Sequence, residues 1–172
     1  MAKTYNSIPT VSTGDVYTAT AHNNIATNVN NYRVPPAVRV KLTGNKTLTS
    51  DAAISWDAED YDTDDMWTSG GTVTIKTAGI YLFTFKGRVT LSAAQNAVDC
   101  RVIKNSTNTL IQWHSGAITA PPTTDFRFAS SIVDACAVND TIIAAVQTGS
   151  TITGDGTAIP IVLTATWLGQ VS

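Results

Sequence analysis

The segment IYLFTFKGRV, residues 80–89, decides the fold class, because apolar side chains alternate along its first half with a period of two. This period is typical of a β-strand. Tyr81, Phe83 and Phe85 would share one face of the strand, and Ile80 and Leu82 the other. Apolar residues on both faces indicate a strand that is buried twice, once in a sheet sandwich and once against another layer or subunit.

The composition of the 172-residue chain agrees with a β domain. Hydrophobic residues make up 43% of the chain and charged residues only 14%, while 28 threonines and 11 asparagines supply much of the neutral polar surface. Threonine is β-branched and fits a half-buried pleated surface, so its abundance favours strands over helices. The length corresponds to one domain of ordinary size with a short appendage.

Further segments with the strand period lie on both sides of residues 80–89, separated by turn signals such as Gly44-Asn45 and residues 105–108. In chain order they are residues 38–42, 47–49, 72–76, 97–104, 109–113, 126–137, 141–148 and 158–168. The turn at Gly44-Asn45 would make residues 47–49 the pairing partner of residues 38–42. This spacing gives about eight to ten strands and indicates a sandwich. We therefore predict an all-β fold for residues 37–172, an antiparallel β-sandwich of the jelly-roll type.

The first 36 residues form a separate unit by their composition, an N-terminal arm that ends in a Pro-Pro spacer at Pro35-Pro36. Residues 1–14 have no hydrophobic period, which predicts an extended segment that becomes ordered only on a partner. Asp15 is a candidate N-cap for a short helix over residues 15–32. Spacings of three and four would place one stripe of side chains on this helix: Thr18, His22, Ile25, Val29 and Tyr32. Its five asparagines are poor helix formers, so the helix needs a surface to pack against.

Several classes of protein are disfavoured by the same sequence. No apolar run approaches the roughly 20 residues of a membrane span, and residues 1–11 lack the apolar core of a secretory signal. No Lys or Arg follows Arg127, and the net charge is −2, which disfavours a nucleic acid partner. Cys100 and Cys136 are too few for a disulfide framework. We expect buried free thiols, with pairing across the sheet as the alternative.

Four segments resemble the jelly-roll family that includes the globular heads of complement and tumour necrosis factor. Residues 79–83 (GIYLF) match that family's Gly-x-Tyr-x-Phe strand, and residues 61–67 (YDTDDMW) resemble the segment that precedes it. Residues 129–133 (ASSIV) and 139–142 (NDTI) are similar to its Ala-Ser-Gly strand and Gly-Asp turn, with Asn139 in place of the glycine. Residues 163–169 (LTATWLG) resemble its closing strand. The resemblance spans residues 37–171 and implies a tumour necrosis factor-like fold.

The N-terminal arm resembles the leaders of small virion proteins of tailed bacteriophages. The similarity lies in residues 8–11 (IPTV), residues 13–19 (TGDVYTA), the asparagine-rich stretch and Val34-Pro35-Pro36. Together the two resemblances imply a phage structural protein on the virion surface, made in the host cytoplasm without a signal peptide. It would be a homotrimer that decorates the capsid as a head fibre, or a tail-associated protein such as a minor tail protein.

The resemblances also assign residues to these roles. Core and trimer-interface positions would be Tyr81, Phe83, Phe85, Ile80, Leu82 and Trp167. In the attachment arm, the anchors on a capsid or tail protein would be Ile8, Val11, Val16 and Tyr17, while Ile25, Val29 and Tyr32 would gather three copies of the chain near the trimer axis.

The sequence contains no recognisable catalytic set. His22 and His114 lie in different regions, and none of the common nucleophile, zinc, phosphate-loop or Cys-x-x-Cys motifs occurs. We therefore predict a protein that is not an enzyme and carries no cofactor. A hydrolase on a β scaffold is the least favoured alternative.

An acidic run holds six of the thirteen acidic residues within residues 57–65. We predict a solvated loop without metal, because the run lacks the turn glycine of a calcium loop; a looser calcium site at Asp60, Asp62 and Asp64 is the alternative. Trp56 and Trp67 bracket the run and are candidates for stacking against sugars. They support a second function, a receptor-binding tip, or adhesin, that recognises host-surface glycans.

Overall fold

The computed structural model describes residues 3–8, 10, 12–13, 15–16, 18–48, 52–91, 98–114, 124–148 and 152–170. Its elements are α1 (Ala19–Arg33), β1 (Ala37–Lys41), β2 (Lys46–Leu48), β3 (Ala58–Asp62), β4 (Thr72–Thr74), β5 (Gly79–Leu91), β6 (Val98–Lys104), β7 (Asn108–His114), β8 (Thr124–Cys136), β9 (Thr141–Thr148), β10 (Ile152–Gly154) and β11 (Val162–Gly169). Among these described residues, no helix is long and apolar enough to cross a membrane.

The strands form two antiparallel sheets that pack face to face. The larger sheet has the order β2-β10-β5-β11-β1-β3. β10 and β11 pair with successive parts of one edge of β5, and β8 pairs with its other edge. The smaller sheet has the order β4-β9-β6-β7. The prediction of an all-β antiparallel sandwich with a short N-terminal helix is confirmed.

The side chains of β5 alternate between two environments. Tyr81, Phe83 and Phe85 are completely buried between the sheets, while Ile80 and Leu82 point to the opposite face and are half-buried. On β11, the register places Trp167 opposite Tyr81, and it places Ala165 and Leu163 opposite the two phenylalanines. In the core, the aromatic rings of β5 therefore lie beside one tryptophan and two aliphatic side chains of β11.

A close approach between Gly79 and Trp167 joins the start of β5 to the end of β11. A Cβ atom at position 79 would lie 2.0 Å from Trp167 Nε1 and 2.5 Å from the carbonyl oxygen of Gly169. The indole N–H donates a hydrogen bond to the Ala78 carbonyl at 3.2 Å. Only glycine leaves room for this indole, which explains why the first residue of β5 is a glycine.

Two turns have the left-handed backbone that the sequence signals require. Asn105 and Ser106 have φ values of 53° and 62° in the turn that joins β6 to β7, so the predicted hairpin is confirmed. Asn139, which replaces the glycine of the family turn, has a φ of 72°.

Two strands were not predicted, and one pairing differs. β3 was expected to be a solvated loop, but it pairs with β1, where Asp60 contacts Arg39 and Lys41. The apolar period could not show a strand that is held by backbone bonds and ion pairs. β10 was also missed, because its three residues contain only one large apolar side chain and therefore show no alternation; β2 pairs with β10 rather than with β1.

The helix α1 begins later than expected. Its N-cap is Thr18, whose side chain accepts a hydrogen bond from the Ala21 backbone N–H at 3.2 Å. Asp15 instead accepts a hydrogen bond from the Ser12 backbone N–H at 2.7 Å, three residues before the cap. The predicted stripe is not buried within the single chain, because Val29 and Tyr32 are more than half exposed and the only buried residue of α1 is Ala21.

Candidate functional site

The face of the larger sheet that points away from the core carries an uncharged, partly apolar surface, which we call the outer patch. It consists of Ile80, Leu82, Val133 and Thr166, together with Leu168, the extra residue of β11 between the partners of Tyr81 and Ile80. Leu82 pairs with Val133 on β8 and with Thr166 on β11, so these side chains share one face. Val133 and Leu168 are each more than half exposed. A contiguous exposed apolar surface is typical of sites where proteins contact another molecule.

The outer patch is flanked by further uncharged side chains. Thr84 pairs with Ser131 on β8 and with Thr164 on β11, and Ile80 pairs with Ala135. Covering these positions requires no desolvation of a charged group, which is the main cost of burying polar surface. The sequence predicted Ile80 and Leu82 as outward-facing residues but not the contributions of β8 and β11.

The extended first part of the N-terminal arm lies against α1 and is held there by three asparagine side chains. Asn24, Asn28 and Asn31 are spaced by four and three residues, so they share one helix face, which we call the asparagine face. The bonds run from Asn24 Nδ2 to the Ser7 carbonyl (3.2 Å), from Asn28 Nδ2 to the Asn6 carbonyl (2.7 Å), from the Asn6 N–H to Asn28 Oδ1 (2.9 Å) and from Asn31 Nδ2 to the Thr4 carbonyl (2.6 Å). The asparagines thus supply the backbone partners that an isolated extended segment lacks.

Aromatic stacking ties the arm to the sandwich. The Tyr5 ring lies 4.8 Å from the Trp167 ring at an interplanar angle of 11°, and the Tyr32 ring is 5.3 Å from Tyr5 and 5.5 Å from Trp167. Burial, with Tyr32 and Asp64 nearby, raises the pKa of Tyr5 to about 12. The prediction that residues 1–14 become ordered only on a partner is therefore wrong for residues 3–8.

A buried carboxylate lies where the arm meets the start of β5. The Lys3 backbone N–H donates to Thr77 Oγ1 at 2.7 Å, and the Thr77 hydroxyl donates to Asp64 Oδ2 at 2.7 Å. The Tyr81 hydroxyl donates to the Thr77 carbonyl at 2.7 Å. Asp64 is completely buried, and this burial raises the pKa of its carboxyl group above the usual value despite the hydrogen bond from Thr77.

The residues predicted for the arm fall into three groups. Ile8, Val16 and Val29 are between 50% and 84% exposed. Ile25 is half-buried, and Val11 and Tyr17 lie outside the described residues. Tyr32 was expected to gather three copies of the chain, but its ring contacts Tyr5 and Trp167 of its own chain.

The Pro-Pro spacer lies against the sandwich rather than apart from it. The Pro35 carbonyl accepts a hydrogen bond from the Thr63 hydroxyl at 2.6 Å. The Pro36 carbonyl accepts one from the Trp167 backbone N–H at 2.9 Å, and Pro36 is buried. The arm and the sandwich are thus in contact on both sides of α1.

The three carboxylates of the calcium alternative have separate partners. Asp60 accepts a hydrogen bond from Lys41, and this bond, together with the charges of Lys41 and Arg39, lowers the pKa of its carboxyl group. Asp62 accepts backbone N–H bonds from Asp64 at 3.1 Å and from Trp67 at 2.7 Å. Within the part of the chain that the structure describes, no three His, Cys, Asp or Glu side chains could hold a metal ion. The three carboxylates of the calcium alternative therefore do not converge on one point in this structure.

The two tryptophans do not form an exposed platform. Trp56 is only 4% exposed and belongs to the core, while Trp67 is partly buried and donates its indole N–H to the Gly70 carbonyl at 3.1 Å. The glycan-stacking hypothesis is therefore wrong for Trp56, because its ring is not accessible to a sugar.

The histidines and cysteines occupy separate places. His22 is exposed on α1, and His114 contacts Asp99 at the end of β7. Cys100 and Cys136 are free and buried, as expected, and burial raises the pKa of each thiol to about 12. Neither thiol is activated as a nucleophile at neutral pH.

No protein-family model and no curated protein matches the chain. Solved structures do match it. The globular domain of a zebrafish complement 1qA protein has a TM-score of 0.56 and 13% identity, over 77% of this chain and 96% of its own. The Eiger tumour necrosis factor of S. frugiperda has a TM-score of 0.64 and 14% identity, over 80% and 96%. Murine APRIL has a TM-score of 0.58 and 14% identity, over 77% and 98%.

These similarities confirm the predicted fold, a tumour necrosis factor-like jelly roll. They extend over nearly the whole length of each matched structure.

Replacing Asn28 with Ala should release the arm from the asparagine face. The change removes two hydrogen bonds to Asn6, each worth about 1 kcal/mol. We expect hydrogen exchange of the Asn6 amide, whose acceptor is Asn28 Oδ1, to accelerate about 5- to 30-fold, which corresponds to about 1–2 kcal/mol. The matched control is Asn30→Ala, which makes the same change at an exposed position of the same helix. Equal exchange rates in the two variants would contradict the role of the asparagine face.

Replacing Asp64 with Asn should change the pH dependence of stability. Because the folded pKa of Asp64 is raised, the ionised carboxylate opposes folding, and the stability provided by its protonated form is lost as the pH rises through that pKa. We expect Asp64→Asn to melt at a higher temperature than wild type at pH 7, and the difference to shrink towards about pH 4. Thermal unfolding followed by circular dichroism measures this. A difference that is constant over this pH range would contradict the raised pKa.

Proposed function

We propose that the chain is a non-enzymatic structural protein of a bacteriophage virion, a homotrimer that projects from the particle surface and is attached by its N-terminal arm. The observation that carries the proposal is the outer patch. One face of β5 fills the core with aromatic rings, and the other face presents Ile80 and Leu82 beside the exposed Val133 and Leu168.

Self-association is the simplest way to cover this surface. Copies of one chain present identical patches, and rotational symmetry closes the assembly without leaving a patch exposed. The patch has no charge to desolvate, which favours an interface core. Three copies is the number that the resemblance to complement heads and tumour necrosis factor implies.

Attachment to a capsid or tail protein is supported by the side of the arm that faces away from the sandwich. The inner side of residues 3–8 is occupied by the asparagine face and by Trp167. Ile8, Val16 and Val29 remain at least half exposed, and Val16 is 84% exposed. Together with the sequence resemblance to virion-protein leaders, these apolar side chains support docking through the outward surface of the arm and α1.

The trimer is tested by comparing two valines that are each 53% exposed. Val133 lies in the outer patch, and Val138 lies in the turn between β8 and β9. Light scattering at micromolar concentration should give three times the 18.2 kDa chain mass for wild type and Val138→Asp, and one chain mass for Val133→Asp. A charge buried at an apolar interface costs several kcal/mol, which is enough to dissociate the trimer. Circular dichroism checks that both variants fold. A monomeric wild type, or a trimeric Val133→Asp, would contradict the proposal.

The virion role is tested by quantitative blotting of purified phage particles that receive the chain by complementation. Wild type should copurify with the particles, and Val16→Asp combined with Val29→Asp should reduce its amount at least tenfold. The matched control is Thr13→Asp with Thr27→Asp, which adds the same charges at exposed polar positions of the arm and α1. Absence of the wild-type chain from particles would refute the virion role, and equal incorporation of both variants would refute docking through these valines.

A further inference from the structure

A cleft of about 440 Å³ opens on the outward face of the larger sheet, beyond the outer patch. Its floor includes Lys86, which pairs with Ala129 on β8 and with Val162 on β11. Lys86 is four residues after Leu82 on β5, so the cleft lies about 13 Å along the strand from the outer patch. One wall is formed by residues 158–160, in the segment that joins β10 to β11. We call this feature the basic cleft.

Among the described residues, three cations and no carboxylate line the basic cleft. They are Arg39, Lys86 and Arg127. Arg39 Nε lies 3.1 Å from Asp60, but Lys86 and Arg127 form no ion pair with any carboxylate of the described residues and are both exposed. Two unneutralised positive charges that face one cleft create a potential that attracts anions.

The excess of positive charge is confined to the basic cleft, because the neighbouring Arg88 is paired with carboxylates. Its guanidinium contacts Asp155 and lies 3.1 Å from Asp125. Two carboxylates therefore neutralise the arginine next to the basic cleft, while Lys86 and Arg127 have none among the described residues. The basic cleft therefore presents two exposed cations that an anion from outside the chain can contact.

The wall of the basic cleft is held in place by Asp155, which is 2% exposed. Its carboxylate accepts backbone N–H bonds from Thr157 (2.7 Å), Ala158 (3.2 Å) and Ile159 (3.1 Å). Burial alone would raise the pKa of Asp155, but these bonds and Arg88 outweigh it and lower the pKa to about 2. A wall that is already ordered does not have to be fixed when a ligand binds.

The floor of the basic cleft at Gly87 packs closely against the segment that joins β10 to β11. A Cβ atom at Gly87 would lie 2.7 Å from Ile161 Cα, so glycine allows the chain after the wall to pack directly on β5. The apolar side chains in the wall, Ile159 and Pro160, then face the same space as the cations. The cleft thus combines a cationic side with an apolar side in a volume that is typical of small-molecule sites.

We propose that the basic cleft binds a small organic carboxylate of about one ring, with its carboxylate between Lys86 and Arg127 and its body against Ile159 and Pro160. Arginine forms paired hydrogen bonds to a carboxylate, and lysine adds a point charge. Two sources share this chemistry, an acidic sugar such as a uronate and an amphipathic acid such as an aromatic carboxylate. The site belongs to a single chain and does not depend on the trimer or on the virion.

Isothermal titration calorimetry of the full chain at low salt tests the site with four probes: glucuronate, benzoate, inorganic phosphate and glucose. At least one of the two carboxylates should bind, and glucose, which has no charge, should not. Lys86→Gln combined with Arg127→Gln should weaken the binding at least tenfold. The matched control, Arg33→Gln with Lys76→Gln, removes two cations outside the cleft and should leave the affinity unchanged.

The probes separate the sources, because the carboxylate that binds more tightly identifies the sugar or the amphipathic acid. Four results would overturn the proposal: no carboxylate binding, equal binding of glucose, tighter binding of phosphate than of both carboxylates, or equal weakening by the control variant. Repeating the titration with Val133→Asp separates this site from the trimer, because the basic cleft should bind equally well in a monomer.

Discussion

The packing of Trp167 on Gly79 is the contact on which the parts of this molecule depend. The indole fills space that a side chain at position 79 would occupy, and its N–H bonds to the Ala78 carbonyl. Its backbone N–H donates a hydrogen bond to the Pro36 carbonyl, and the Tyr5 ring stacks on one face of the indole. The first residues of the chain, the entry to the sandwich and its last strand therefore meet at one ring. A disturbance of this ring would loosen the arm and the core together.

The two faces of β5 explain how one strand serves both stability and assembly. In a sheet, successive side chains point to opposite faces, so the residues that fill the core leave the alternate positions free for another role. Near the start of β5, those positions carry Ile80 and Leu82, and further along they carry Lys86 and Arg88. The outward face is therefore divided along the strand into an apolar part that suits self-association and a charged part that contains the basic cleft.

The sequence was sufficient for the features that leave a periodic signal. The strand period located β5, β9 and the hairpin of β6 and β7, because burial of one face produces alternation along the chain. It could not locate β3, whose polar side chains are balanced by Arg39 and Lys41 on β1. A charge-paired edge strand has the same composition as a solvated loop, so only the pairing distinguishes them.

The position of the N-terminal arm could not be predicted from the sequence for a different reason. The asparagines of α1 were correctly identified as poor helix formers, but their amides bond to carbonyls 17 to 27 residues away in the chain. A bond between a side chain and a distant backbone leaves no periodic pattern. The same is true of Trp56, whose burial depends on how the two sheets pack and not on its neighbours in the sequence.

The two buried aspartates show how local donors determine what a buried carboxylate does. Asp64 has one hydroxyl donor and no hydrogen-bond partner for Oδ1 among the described residues, so burial dominates and its pKa rises. Asp155 has three backbone N–H donors and Arg88, and its pKa falls. The stability that Asp155 provides is present above its unfolded pKa and is lost as the pH falls towards about 2, while the protonated form of Asp64 suits the fold. Acid therefore weakens the wall of the basic cleft while it removes an unfavourable charge from beneath the arm, so the two ends of the sandwich respond to pH in opposite directions.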